Sequence, residues 1–210
     1  SNGCGKNEVL SILTKKIGQS KFIKSYTTRL PRDGEIQGQD YIFVDNDLFI
    51  KIKSSSLFME TNQFGGTFYG HHQENFLPKL ERNNHFFFII DPNGIYQILK
   101  WFKENETGKD LSIKYEIKFK IMHIKAKKSI RLKRLLSSVN KNLDYNTDFD
   151  ICDKIIARLQ RDNDSIDSTL EYLIENDLLS DIKQDLKYFK IDNNDTLMTL
   201  TTKYLTEIID

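Results

Sequence analysis

Six of the seven arginines in this 210-residue chain fall in pairs three positions apart: Arg29/Arg32, Arg131/Arg134 and Arg158/Arg161. Lysine is used freely, so arginine marks positions that need a planar, two-pronged donor, and that fork suits phosphate and carboxylate. The first pair flanks Pro31, is approached through Ser25-Tyr26-Thr27-Thr28, and is followed by Tyr41 and Tyr69. Guanidinium forks with hydroxyl donors are what a phosphate dianion taken out of water requires. A second anion-binding pattern opens the chain. Gly3-Cys4-Gly5-Lys6 runs directly into the apolar spacing Val9, Leu10, Ile12, Leu13 and Ile17, a helix whose first-turn N–H groups can face a phosphate.

The elements that must position these residues follow from periodicity. A helix is expected over 6–17 with Gly18 closing it. Loop and hairpin pieces are expected over 20–44, ending in the alternating Tyr41-Ile42-Phe43-Val44. A short helix follows from Asp45 to Ser54, capped by Asp45 or Asn46, then two strands around Gly65-Gly66 between Leu57 and Tyr69. His85 to Ile90 reads as a strand buried on both faces, with Asp91 at the C-terminal end where open α/β sheets bind ligands. A helix is expected from Gly94 to Glu104, a polar connection at Lys109–Ser112, a strand from Ile113 to Ile124, and helices from Ser129 and from Asp150. A strand at Tyr188–Ile191 and a helix from Thr196 close the chain. Alternating strands and helices predict an α/β fold with a parallel sheet.

Composition excludes several classes. With 31 basic and 30 acidic residues the net charge is +1, and the evenly spread lysines build no nucleic-acid face. The longest apolar run, Phe86–Ile90, is far short of the roughly 20 residues of a membrane span. Cys4 and Cys152 form neither a disulfide framework nor a metal cluster, which favours a reducing compartment, the cytoplasm. The partners expected are small molecules rather than nucleic acid or membrane, with the protein a monomer or homodimer. Cys4 is read as a small filler, and His72, His85 and His123 as structural. Arg131 and Arg161 are read as helix-surface residues.

The opening Gly3-Cys4-Gly5-Lys6 resembles the second half of a phosphate-binding P-loop. From Ser25 to Val44 the chain resembles, without a gap, the monophosphate site of guanylate kinases, S-x-T-T-R-x-P-R-x-G-E-x-x-G-x-D-Y-x-F-V. Phe58-Met59-Glu60, Phe68-Tyr69-Gly70, Asp91 with Gly94, Arg131 with Arg134-Leu135, Arg158-Leu159 and Asn193 with Asp195 extend the likeness along almost the whole chain.

That resemblance implies a P-loop kinase fold: a core from 1–23, 81–124 and 163–210 with a central parallel sheet, a small mixed β/α lobe for the monophosphate over 24–80, and a helical lid over 125–162. It implies transfer of the ATP γ-phosphoryl group to GMP, or to dGMP, with Mg²⁺, giving GDP. Ser25, Arg29, Arg32, Tyr41 and Tyr69 would hold the acceptor, and Glu60, His71 and Asp91 its base. Guanine offers N1–H and an exocyclic amine, so carboxylate acceptors fit its edge where adenine would reverse the pattern. Gly3, Cys4, Gly5, Lys6, Asn7 and Asn193 would hold ATP, and Lys6, Arg134 and Arg158 would carry catalysis. Four positions depart from the family pattern. Asn7 replaces the hydroxyl that ligates Mg²⁺, His71 a Ser or Thr donor to guanine, Ile89 the first Asp of D-x-D, and Ser138 a lid arginine. The alternative they raise is a non-catalytic module of the same family binding a nucleotide or an acidic or phosphorylated peptide. The chain opens on Ser1 rather than Met, and the buried strand that precedes a P-loop is expected upstream of it.

Overall fold

A computed structural model describes residues 3–17, 20–80, 84–139 and 186–192. The chain separates into two compact units, one formed within 1–16 and 118–210 and the other by 17–117. In the first unit, helix α1 (Lys6–Lys16) buries Val9 and Leu13, one turn apart. Strand β7 (Phe119–Lys125) pairs in parallel with β8 (Leu186–Asp192) from Phe119↔Leu186 to Lys125↔Asp192, and helix α5 (Lys128–Val139) follows β7.

The second unit contains a four-stranded sheet ordered β3-β2-β5-β4, built from β2 (Tyr26–Thr27), β3 (Ile42–Phe43), β4 (Phe58–Phe64) and β5 (Thr67–His72). β4 and β5 form the expected hairpin. Gly65 and Gly66 both have positive φ, 55° and 81°, which the right-handed twist of the flanking strands favours in a two-residue turn. Helix α2 (Asn46–Ser54) is capped by Asp45, whose side chain accepts from the Leu48 amide at 2.7 Å. Its buried Phe49 stacks on Phe58 and Phe68 at centroid distances of 4.6 and 5.3 Å. One face of the sheet is thereby committed to the core.

Strand β1 (Ser20–Phe22) pairs in parallel with β6 (His85–Phe87). The expected strand through Ile90 is therefore shorter, and Phe86 to Ile90 are only partly buried. Its partner runs out: after the Ile23 amide bonds the Phe87 carbonyl, the chain leaves to enter β2. Helix α3 (Pro92–Glu104) follows and buries Ile98, Leu99, Trp101 and Phe102.

The expected polar connection and strand start at 109–115 are instead helix α4 (Glu106–Tyr115). Asn105 caps it by accepting from the Gly108 amide, and Glu116 closes it in the left-handed region at φ 50°. Alternation of Ile113, Tyr115, Ile117 and Phe119 imitates a strand, but only its last member enters β7, and Ile113 is 81% exposed. The expected helices from Asp150 and Thr196 lie outside the described residues.

Candidate functional site

The period-2 rule sorts the sheet of the second unit into two faces. Directly opposed residues share a face, so the pairs Thr27↔Phe43, Thr27↔Tyr69, Asn62↔Tyr69 and Glu60↔His71 place Phe43, Thr27, Tyr69, Asn62, His71 and Glu60 together. This is the face opposite the Phe49 stack. A bulge between Phe58 and Glu60 sets two β4 residues against one on β5 and returns Glu60 to this face.

At one end of the face the Arg29 guanidinium lies 4.7 Å from the Tyr41 ring centre and 5.5 Å from that of Phe43. Tyr41 in turn meets Tyr69 edge-on at 6.3 Å. Glu35 clamps Arg29 with two bonds, Nη1 to Oε2 at 2.5 Å and Nη2 to Oε1 at 2.7 Å, and the second Nη1 hydrogen goes to the Leu30 carbonyl. The Arg29 bond, reinforced by the Arg32 amide donating at 2.8 Å, holds the Glu35 carboxyl below its ordinary value. Because Glu35 grips the two terminal nitrogens, the Nε–H and the remaining Nη2–H stay available as a second parallel fork. Arg32 has an exposed side chain beyond the same turn. Ser25 is buried just ahead of β2, its carbonyl accepting from the Ile42 amide.

At the other end, His71 Nδ1 donates to Glu60 Oε1 at 2.7 Å, with both residues buried. A Cβ on Gly94 would stand 3.0 Å from Glu60 Oε2, so Glu60 faces the first turn of α3. Asp91 caps that turn: its Oδ1 accepts from the Gly94 amide at 3.0 Å, and its Oδ2 accepts from Asn62 Nδ2. Asp91 thus converges with Glu60 on Gly94 while both its oxygens are already engaged. Gln97 makes the arrangement rigid. Its side-chain amide accepts from the Thr61 amide at 3.1 Å and donates to the Thr61 carbonyl at 2.9 Å, covering the outer edge of β4.

Sequence reasoning singled out Arg29, Tyr41, Tyr69, Glu60, His71 and Asp91 as candidates but assigned no role to Glu35, Asn62 or Gln97. Glu35 carried a signal, a carboxylate six residues from a fork; Asn62 shows one only once β4 is known, two residues along from Glu60.

In the first unit Gly3 and Gly5 have φ of 73° and 84°, conformations that L side chains rarely adopt. The Gly5 carbonyl accepts the first helical bond, from the Val9 amide, so the loop leads straight into α1. Cys4 is fully buried, as its reading as a filler requires; Lys6 is half-buried and Asn7 exposed at the helix start. Arg134 Nη1 donates to the Gly3 carbonyl at 3.3 Å. Arg131 is not on the surface as expected but 5% exposed, because α5 meets the loop closely enough that a Cβ on Gly3 would stand 3.0 Å from its carbonyl oxygen. Arg158, Arg161 and Asn193 lie outside the described residues.

Chemically, one face offers forked and hydroxyl donors beside a carboxylate and imidazole. A separate loop-to-helix junction offers amides and a lysine for phosphates. These are the parts of a P-loop nucleotide-binding α/β protein, and its fold has a solved counterpart. The structure of guanylate kinase from Anaplasma phagocytophilum matches 96% of this chain and 78% of that one, with a TM-score of 0.54 at 18% identity. A family model described as guanylate kinase matches residues 1–191, and the chain belongs to the guanylate kinase family. Among relatives, guanylate kinase of Trichodesmium erythraeum is 29% identical over 82% of this chain and 89% of its own length. That of Oleidesulfovibrio alaskensis is 36% identical over 46% of this chain and 47% of its own. The chain therefore spans less than half of the latter relative in the matched region.

No helix among the described residues is long and apolar enough to cross a membrane.

Proposed function

We propose that this chain catalyses phosphoryl transfer from ATP to GMP, with dGMP as an alternative acceptor and Mg²⁺ as the metal. The observation that carries this reading is the single sheet face on which Arg29, Tyr41 and Tyr69 stand beside Asn62, Glu60 and His71. Such a face pairs donors for a phosphate with acceptors for a base, Tyr69 standing two residues from His71 on β5 and Asn62 two residues from Glu60 on β4. Phosphoryl transfer asks the protein chiefly to align donor and acceptor and to neutralise charge. Glu35 fixes Arg29 so that its second fork meets the acceptor phosphate with little further ordering, and Arg32 adds a second cation. Ser25 lines the approach. The amides after Gly3, Cys4 and Gly5, with Lys6, hold the donor phosphates; Arg134 and Arg158 from the 125–162 segment balance charge on the transferred group, and Asn193 borders the donor base.

Among the described residues no three His, Cys, Asp or Glu side chains form a metal cluster. Magnesium in nucleotide sites is carried largely by phosphate oxygens and water, so the Asn7 carboxamide at the start of α1 fits a water-mediated or single-oxygen role. When bound, the metal neutralises the donor phosphates. Asn7 is also what favours the second reading, a module that binds without turnover, since its longer carboxamide stands where the P-loop pattern has a short hydroxyl ligand.

The test is ADP release with GMP, dGMP, AMP and UMP as acceptors, with and without Mg²⁺, for the wild type, Lys6→Ala and Arg32→Ala. Release with the guanine nucleotides alone, lost in both variants, is expected. Equal background with every acceptor would retire the enzyme, and calorimetric GMP binding without turnover would favour the module.

A further inference from the structure

His71 Nε2 is buried and has no hydrogen-bond partner among the described residues, whereas the other ring nitrogen is committed to Glu60. Buried polar atoms are almost always satisfied, so an orphaned one on a candidate site face points to a ligand. A carboxylate can only accept, so Nδ1 carries the proton of the neutral ring and Nε2 is then a bare acceptor. It becomes a donor only when the imidazole takes up a second proton. The two forms read opposite ligand edges.

We propose that His71 reads the 6-position oxygen of the base as an imidazolium, so that binding of a 6-oxopurine nucleotide takes up one proton; this rests on the GMP reading above. Two features favour the charged form. Glu60 is buried with His71 as its hydrogen-bonding partner, and a carboxylate sealed by a ligand is far less costly beside a cation than alone. The edges also match: an Nε2–H donor beside a Glu60 acceptor faces, in order, the O6 acceptor and N1–H donor of guanine. Adenine presents the reverse order and would need a neutral imidazole with a protonated Glu60.

Among the described residues the groups around the ring are few. β4 contributes Glu60; β5 contributes Tyr69, two residues away on the same face. The first turn of α3 contributes Asp91, already bonded to Asn62 and the Gly94 amide. After β6, Phe88 meets the ring edge-on at 5.2 Å and brings no charge. His72 belongs to the opposite face, against Tyr26 and Phe58.

The experiment is calorimetric titration of the full chain with GMP, IMP and AMP between pH 8 and 6.5, in buffers of different ionisation enthalpy, for the wild type, His71→Ser and His71→Gln. The phosphate's own ionisation is common to all three ligands and cancels in the comparison. GMP and IMP affinity is expected to rise as pH falls, approaching about tenfold per pH unit where one full proton is taken up. The AMP difference should show no uptake. His71→Ser and His71→Gln, whose donors need no added proton, should bind GMP with the slope gone. A wild type that binds GMP with no proton uptake, or more tightly as pH rises, overturns the proposal while leaving the GMP site standing. Absence of GMP binding at every pH removes the site reading itself and the proposal with it. The wild-type series decides the matter even if neither variant folds.

Discussion

In the proposed GMP site Arg29 has two tasks that only a guanidinium performs together. Glu35 takes the end of the fork, and the Nε–H with the second Nη2–H remains for an anion. Lysine keeps the charge but is a point donor, so Arg29→Lys must choose between Glu35 and phosphate. Calorimetry should show a loss of GMP affinity of at least about tenfold, roughly 1.4 kcal/mol, with ATP affinity unchanged. Unaltered GMP affinity would mean that charge alone suffices and the fork is irrelevant. This residue was legible from its type and setting, since an arginine in a lysine-rich chain beside Pro31 and ahead of two tyrosines has few uses. Asn62 was not, because its significance lies in facing Tyr69 across the strand pair and reaching Asp91, and neither relation has a local spacing. His71 was legible as a candidate, but its tautomer logic required the bond to Glu60.

Elements were legible where local signals agreed with packing and misread where one period imitated another. Asp45 ahead of α2 and Gly65-Gly66 between β4 and β5 act within a few residues, and both behave as the sequence predicts. The 109–115 segment does not, because alternating apolar residues resemble a strand while the Asn105 cap and the close fit of Gly108 decide for helix. A Cβ on Gly108 would stand 2.4 Å from the Trp101 carbonyl oxygen and 2.8 Å from the Phe102 Cα, backbone atoms that cannot swing aside. Helix propensity alone would make Gly108→Ala stabilising by about 1 kcal/mol. Overpacking costs about 1–3 kcal/mol, and here it requires α3 and α4 to part, so the clash wins. Urea denaturation should show a net loss of about 1–2 kcal/mol. A variant as stable as the wild type would show that the two helices do not pack this tightly in solution.

At the scale of the whole molecule, acid should weaken the fold in two successive stages, both traceable to the 17–117 unit. His72 is 3% exposed, and burial, opposed in part by Glu74, holds its imidazole below the ordinary 6.5. Its Nδ1 accepts from the Glu74 amide at 3.1 Å, a bond that protonation would break. The unfolded chain therefore binds the proton more readily than the folded one. His72 contributes its full share of stability above pH 6.5, and that share is lost as pH falls through the lower folded value. Glu35 follows the same sign in a lower window, since its bond to Arg29 keeps the folded carboxyl below the ordinary 4.5; its contribution is intact above that value and disappears as pH falls further. Because the two losses begin from different ordinary values, 6.5 and 4.5, His72→Asn, which keeps an acceptor but does not titrate, should flatten the decline of the unfolding free energy that sets in below pH 6.5 and leave the decline below 4.5 in place. Glu35→Gln should do the reverse. Measured by urea unfolding across pH 3–8, identical pH profiles for wild type and His72→Asn would show that the imidazole is not buried in its neutral form, and the first stage would have to be assigned elsewhere.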